Sequence, residues 1–196
     1  MPRQREFNQD EVIDRAMRLF WAQGYEATSI RDLKETMGIS SSSMYEVFGD
    51  KRGIFLLALA RFCQIERERI AQMAQAAATP QAFIEQLFAS VEDVTQPQPQ
   101  TQGSLAFNAM VEFGTLDPDV TPLLLDHYFG IVTIIAGVLE QGQATGSVTS
   151  QAPALDLAHT ILTTLQGVAT VKGVKPDFAH VHAITQVILH LLAPQH

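Results

Sequence analysis

Gly24-Tyr25-Glu26-Ala27-Thr28-Ser29-Ile30-Arg31-Asp32-Leu33-Lys34-Glu35-Thr36-Met37-Gly38-Ile39-Ser40-Ser41-Ser42-Ser43-Met44-Tyr45-Glu46-Val47-Phe48-Gly49-Asp50-Lys51-Arg52-Gly53 is the stretch on which the fold turns. It reads as two very short helices joined by a glycine turn, followed at once by the capped start of a third. Thr28 is placed to cap a helix through Ile30, Leu33 and Met37, whose spacing puts them on one face. Gly38 then supplies the left-handed conformation that ends helices. Ser40 is the next N-cap, opening a helix whose Met44, Val47 and Phe48 point inward. Gly49 closes it, and Asp50 caps a long helix beginning at Lys51 and Arg52. Helices this short bury little by themselves, and the usual use of such a pair is to place the second one in a DNA major groove.

Upstream, Asn8 and Glu11 stand at capping-box spacing, with Phe7 and Val12 where a hydrophobic staple sits. The helix they open carries Val12, Ala16, Leu19 and Phe20 on one stripe, with Arg15 and Arg18 largely off it. Three helices thus share one small core. The chain of 196 residues, 46% of them hydrophobic, is long enough for a sizeable core plus a small attached domain. The expected fold is all-α: a three-helix helix-turn-helix head on a larger helical body. Cys63 is the only cysteine, so no intramolecular disulfide forms and a reducing cytoplasm is compatible. The N-terminal residues lack the apolar run of a secretory signal. The most apolar run, Ile131 to Leu139, is too short to span a bilayer. A soluble, cytoplasmic protein that does not enter the membrane is expected.

The head resembles the DNA-binding domain of the tetracycline-repressor (TetR) family of transcriptional regulators. The matching features are the Ala-x-x-Leu-Phe run leading to Gly24-Tyr25, then Thr28-Ser29-Ile30, Leu33, Gly38-Ile39-Ser40, Met44-Tyr45, Val47-Phe48, Asp50-Lys51 and Ile54-Phe55. Order and spacing agree without a gap, whereas the later chain matches in length and helical character. The resemblance implies a DNA-binding domain at 6–66, including the start of the long fourth helix, and a ligand-binding and dimerisation domain at 67–196. It implies a dimeric regulator, a repressor released from its double-stranded, palindromic operator by a small-molecule inducer. The competing reading is a helical small-molecule-binding or interaction module that does not read DNA.

Charge is unevenly distributed. The net charge is −8, the wrong sign for a protein that coats nucleic acid. Up to Arg69, eleven basic residues face eleven acidic ones; the remainder holds two basic against ten acidic residues. An acidic body on a neutral, locally basic head orients head-first toward phosphate. Few cations displace counterions, so weak non-specific binding is expected.

Within the head, Arg3 and Arg5 form a basic arm of the kind that enters a minor groove, or a solvated tail. Ser40, Ser41, Ser42 and Ser43 are the cap and first turn of the reading helix, where short hydroxyls approach phosphates and base edges closely. Lys51 lies beside a helix N-terminus, where backbone N–H groups and an ammonium share a phosphate. Thr28 and Ser29 have the same opportunity at the preceding helix. The resemblance assigns Tyr45 to the DNA face. Glu46 on the same helix repels phosphate unless it accepts from a cytosine amino group.

The body reads as helices over about 50–78, 80–94, 104–115, 118–142, 154–173 and 176–192, with a loop lacking apolar anchors between Gln96 and Gly103. The last two helices are apolar on more than one stripe, which implies burial twice, in their own subunit and against another surface. By resemblance that surface is the matching pair of a second subunit, giving a homodimer interface at Ala158, Leu162, Leu165, Val168, Ile184, Val187, Ile188 and Leu191. Phe62, Phe83, Phe107, Met110 and Tyr128, with Asn108, Glu112 and His127, are candidates to line an effector pocket, although aromatic residues at helical spacing also serve as ordinary core. Gln102-Gly103-Ser104-Leu105 resembles a helix start at which some family branches carry cysteine in place of Ser104; a thiol sensor there is excluded.

His180 and His182, two apart, point to different sides of a helix, so no metal site is expected. No phosphate-binding glycine loop, His-Glu-x-x-His or nucleophile elbow occurs, so neither a cofactor nor an enzymatic role is expected.

Overall fold

The computed structural model describes residues 7–92, 103–114, 117–149, 151–175 and 177–194. Among them are nine helices and no strand. In chain order these are α1 (Gln9–Gln23), α2 (Ile30–Met37), α3 (Ser41–Phe48), α4 (Lys51–Ala76), α5 (Pro80–Glu92), α6 (Leu105–Phe113), α7 (Val120–Thr145), α8 (Ala154–Val174) and α9 (Val181–Leu192). The chain divides into two compact units: Met1–Ile65 with Ser104–Leu124, and Glu66–Gly103 with Leu125–His196.

The first unit grows from the amphipathic spacing of its short helices. Val12, Ala16 and Phe20 of α1, Leu33 and Met37 of α2 and Met44 and Phe48 of α3 meet Ile54, Phe55, Ala58 and Leu59 of α4 in one buried cluster. Each helix end has its own stop. Gly24 (φ 80), Gly38 (φ 68) and Gly49 (φ 78) terminate α1, α2 and α3 in the left-handed half of backbone space, where a Cβ is penalised. Asn8 caps α1 by accepting from the Asp10 N–H at 3.0 Å, while its amide donates to Glu11 at 3.4 Å.

The compact unit carrying the head is not one stretch of chain. Its core takes in Leu105, Ala106 and Ala109 of α6 and Val120 and Leu124 of α7. Phe113 stacks on Phe55 with ring centroids 5.1 Å apart and meets Tyr25 at the same distance. Aromatic pairing across a long loop closure thus joins residues far apart in sequence. Cys63 is buried in this unit.

The second unit is built from α5, α8, α9 and the remainders of α4 and α7. Phe83, Ile84, Leu87 and Phe88 of α5 pack with Ile131, Ile135 and Leu139 of α7, Ala158, Ile161 and Leu162 of α8, and Val181 and Ile188 of α9. The chain turns after α7 onto Gly142 in that helix's last turn, whose carbonyl accepts the Ser147 and Val148 N–H groups; a Cβ there would meet the Val148 side chain. The final helix starts at Val181, later than the 176 expected. Helix α7, longer than the apolar run read from sequence, is long and apolar enough to cross a membrane by length and composition. Its Leu124, Ile131, Val132, Ile135 and Leu139 are instead buried in the two cores.

Candidate nucleic-acid interface

The reading head is a helix pair held by caps. The N-cap of α2 is Ser29, one residue later than the Thr28 expected. Ser29 Oγ accepts the Asp32 N–H at 3.1 Å, and the Asp32 carboxylate takes the Ser29 N–H at 2.9 Å, a closed capping box. The Ser29 hydroxyl and N–H hold the Asp32 carboxyl below its ordinary value. Thr28 is 1% exposed, and its hydroxyl donates to the Gly24 carbonyl at 2.6 Å. It pins the α1–α2 turn from inside.

Between α2 and α3, Gly38 is in the αL region and its N–H reaches the Lys34 carbonyl at 3.0 Å. Ser40 caps α3, with its Oγ accepting the Ser43 N–H at 3.1 Å. The same hydroxyl lies 2.9 Å from Ser43 Oγ and 3.0 Å from Ser42 Oγ. Ser40, Ser42 and Ser43 therefore form a connected hydroxyl cluster that orders the first turn of α3. Met44 and Phe48 anchor the helix inward; Ser41, Ser43 and Val47 are half-buried; Ser42, Tyr45 and Glu46 are exposed. Tyr45, with a large apolar ring, is 52% exposed.

Lys51 opens α4 and leans over the α1–α2 turn. Its Nζ sits 4.2 Å from the centre of the Tyr25 ring and donates to the Glu26 carbonyl at 3.4 Å. One of the three ammonium donors is so used. Burial pushes the Tyr25 phenol up from its ordinary value, with Arg52 opposing. Of the basic residues, Arg52 and Arg61 are committed to Asp117, Asp119 and Asp14, while Arg18 and Arg31 are exposed. Arg31 stands in the first turn of α2 beside Ser29, a phosphate candidate that the sequence reading did not single out. Its signal was its position beside a helix N-terminus. Arg5 and Arg3 lie outside the described residues.

Glu112, expected among pocket residues, has a different setting. Its two carboxylate oxygens accept the Tyr25 N–H at 3.0 Å and the Glu26 N–H at 2.7 Å, so α6 grips the turn that follows α1. Arg52 is held from the segment before α7, by Asp117 at 2.6 and 2.9 Å and by Asp119 at 2.7 and 3.2 Å. The Arg52 guanidinium holds the Asp117 carboxyl far below the usual carboxylate range, helped by the Val120 and Asp119 N–H groups. No local sequence signal marks either partnership, because each spans more than sixty residues.

Five of the pocket candidates, Phe62, Phe107, Asn108, Met110 and Glu112, belong to the first unit, and Phe83, His127 and Tyr128 to the second. Phe62 packs edge-on against Trp21 at 5.1 Å, and Phe107 and Met110 are half-buried. Phe83 is fully buried core. His127, 3% exposed, lies 3.1 Å from Glu66, and the Tyr128 hydroxyl is 3.0 Å from His159 Nδ1. Ser104 caps α6 towards the Phe107 N–H. Of the dimer candidates, Ala158, Leu162, Leu165, Val168 and Ile188 are buried within their own unit and Ile184 is half-buried; Val187 (59%) and Leu191 (56%) are exposed. The outward apolar positions of α8 are Leu155, Val171 and Val174. The sequence pattern identified the apolar helices, and the fold decided which stripe faces out. Among the described residues, no group of three or more His, Cys, Asp or Glu side chains is arranged to hold a metal.

The family model described as bacterial regulatory proteins, tetR family, matches residues 12–58. The HTH-type transcriptional repressor ComR of Escherichia coli (strain K12) is 26% identical over 164 residues, covering 83% of this chain and 78% of that protein. The HTH-type transcriptional repressor AcnR of Corynebacterium glutamicum is 27% identical over 158 residues, covering 81% and 77%. Among solved structures, the TetR family transcriptional regulator CifR, complexed with 26-bp double-strand operator DNA, superposes with a TM-score of 0.79 at 25% identity over 96% of this chain and 98% of that one. With the capped reading helix and these likenesses together, residues 12–58 form a DNA-binding domain of the tetR type, and the chain as a whole resembles TetR-family transcriptional regulators.

Proposed function

We propose that this DNA-binding transcriptional regulator is a repressor that acts as a homodimer on a palindromic double-stranded operator and releases it when a small molecule binds the helical body. The observation that carries the reading is α3 itself, an eight-residue helix anchored by Met44 and Phe48 with Ser42, Tyr45 and Glu46 turned outward. A helix so short, capped at both ends, serves to present an outer face. The repressor role is supported by ComR and AcnR, and the double-stranded operator by the CifR complex.

One such helix grips a half-site weakly. A two-fold dimer places two of them in successive major grooves, roughly 34–36 Å apart. Exposed Val187 and Leu191 of α9, with Leu155, Val171 and Val174 of α8, are the apolar surface offered to the second copy. Release is a two-state coupling in which effector and operator favour different poses of the heads. Glu112 and the Arg52 clamp support a route for it, since any shift of α6 is delivered to the Tyr25–Glu26 backbone.

The test is Tyr45→Ala. Duplexes are first selected from a random library with the wild-type protein, and an enriched inverted repeat is the expected result. Y45A then loses binding to that duplex while keeping wild-type helicity and dimer mass. Wild-type affinity in the variant would overturn this docking, and a wild-type protein that enriches no sequence would favour the non-reading module.

A further inference from the structure

We propose that Glu46 is a specificity-determining residue of α3: its carboxylate accepts a hydrogen bond from the N4 amino group of one cytosine in each operator half-site. This rests on the DNA-reading function above and names the chemistry that it recognises.

Ser42, Tyr45 and Glu46 are spaced i, i+3 and i+4, so they form one outward strip. Of the three, serine and tyrosine hydroxyls donate or accept indifferently. Only the carboxylate has a fixed sense: it accepts, and it is charged. The exposed strip of α3 offers no Arg, Lys, Asn or Gln, the side chains that pair bidentately with guanine or adenine. Whatever polar discrimination this strip exerts by a fixed hydrogen-bond direction therefore falls to Glu46.

Several carboxylates of the first unit have internal work, Asp14 on Arg61, Asp32 on Ser29, Asp50 on the Gly53 N–H and Glu112 on the α1–α2 turn, whereas Glu46 is the one carboxylate on the exposed strip of α3. Glu46 makes no hydrogen bond and no ion pair among the described residues, and the nearby cations Lys51 and Arg52 are turned to Glu26 and to Asp117 and Asp119. An un-neutralised carboxylate carried toward phosphates lowers affinity for every duplex. It is offset only where a base donates to it. The carboxylate thus selects by penalty, disfavouring the sequences that leave it unpaired against acceptor edges.

The major-groove pattern decides which donor. Adenine N6 lies between two acceptors, its own N7 and the O4 of the paired thymine. Cytosine N4 has an acceptor, guanine O6, on one side and only the C5–H edge on the other. A carboxylate has two oxygens, and the second finds repulsion beside adenine N6 but not on the C5 side of cytosine N4. Cytosine is the better partner.

The experiment is selection from random duplexes with the full-length wild-type protein, E46A and E46Q, followed by binding measurements on the enriched sequence and its single-base variants. Wild type should prefer cytosine at one symmetric position by roughly tenfold or more. E46A should flatten that position alone and bind the non-cytosine variants more tightly than wild type does. E46Q should shift the position toward adenine, to which a glutamine amide pairs through N6 and N7. An E46A profile identical to wild type, or a wild-type site with no such cytosine, overturns the assignment while leaving the DNA-reading function intact. E46A that binds no duplex yet keeps its helicity overturns it as well, since Glu46 would then support affinity and not selectivity. A wild-type protein that enriches nothing overturns both.

Discussion

At Gly53 the first turn of α4 passes so close to the end of α3 that a Cβ would run into the Phe48 carbonyl oxygen. That neighbour is backbone and cannot swing aside, so Gly53→Ala must move α3 relative to α4. Loss of operator binding together with a lower melting temperature is expected, and a melting temperature equal to wild type would show that the turn tolerates the methyl. Ser29 is a milder case. Removing its hydroxyl opens the capping box and costs about 1 kcal/mol of stability, readable by urea denaturation of Ser29→Ala. The box was half legible: the sequence placed a cap at this turn but chose Thr28 over its neighbour. Both are hydroxyl residues before the same apolar stripe, and only the packed turn shows that Thr28 is needed underneath, on the Gly24 carbonyl.

Among elements, α6 and its junction with α7 matter more to the head than sequence position suggests. Glu112→Ala leaves the Tyr25 and Glu26 N–H groups without their acceptor. Operator affinity should fall and effector sensitivity change while helical content is retained; affinity and response both equal to wild type would remove α6 from the coupling route. The Arg52–Asp117 pair gives a pH signature. Asp117 is ionised more readily in the folded state than its ordinary value of 3.8 allows, chiefly through the Arg52 hydrogen bond. A depressed folded value contributes stability above the unfolded value, a contribution that declines as pH falls below about 3.8 and is gone once the folded value is passed. Asp117→Asn should therefore be less stable than wild type at pH 7, and the gap should narrow in denaturation curves taken near pH 3. A gap unchanged between the two would show that the pair does not set the acid response. No periodicity announces either contact, because the partners are distant in sequence and meet only after the chain has folded.

For the whole molecule, the question is which apolar surface remains once each unit has closed its core. Val187 and Leu191 stay exposed on α9, whereas Leu165 of α8 is buried. Val187→Asp combined with Leu191→Asp should give a folded monomer by sedimentation, with operator affinity sharply reduced because one head must bind alone. Leu165→Ala should instead destabilise the protomer, by about 2–5 kcal/mol, without singling out the dimer. Monomer formation by Leu165→Ala with no loss of protomer stability would reverse these assignments. The acidic remainder of the chain beyond Arg69 adds that binding to arbitrary DNA should be weak at physiological salt.

Local order and its punctuation were written in the sequence. The three short helices of the head, the glycine stops at Gly38 and Gly49 and the reading helix capped by Ser40 follow from side-chain spacing and backbone permission, which act over a few residues. The helical character of the body was legible for the same reason. Tertiary structure alone decided that α6 joins the compact unit of the head, that Glu112 holds a turn, and which stripe of α8 and α9 faces outward. Those outcomes depend on contacts across dozens of residues, where an amphipathic pattern states that a face will be buried but carries no information about what will cover it.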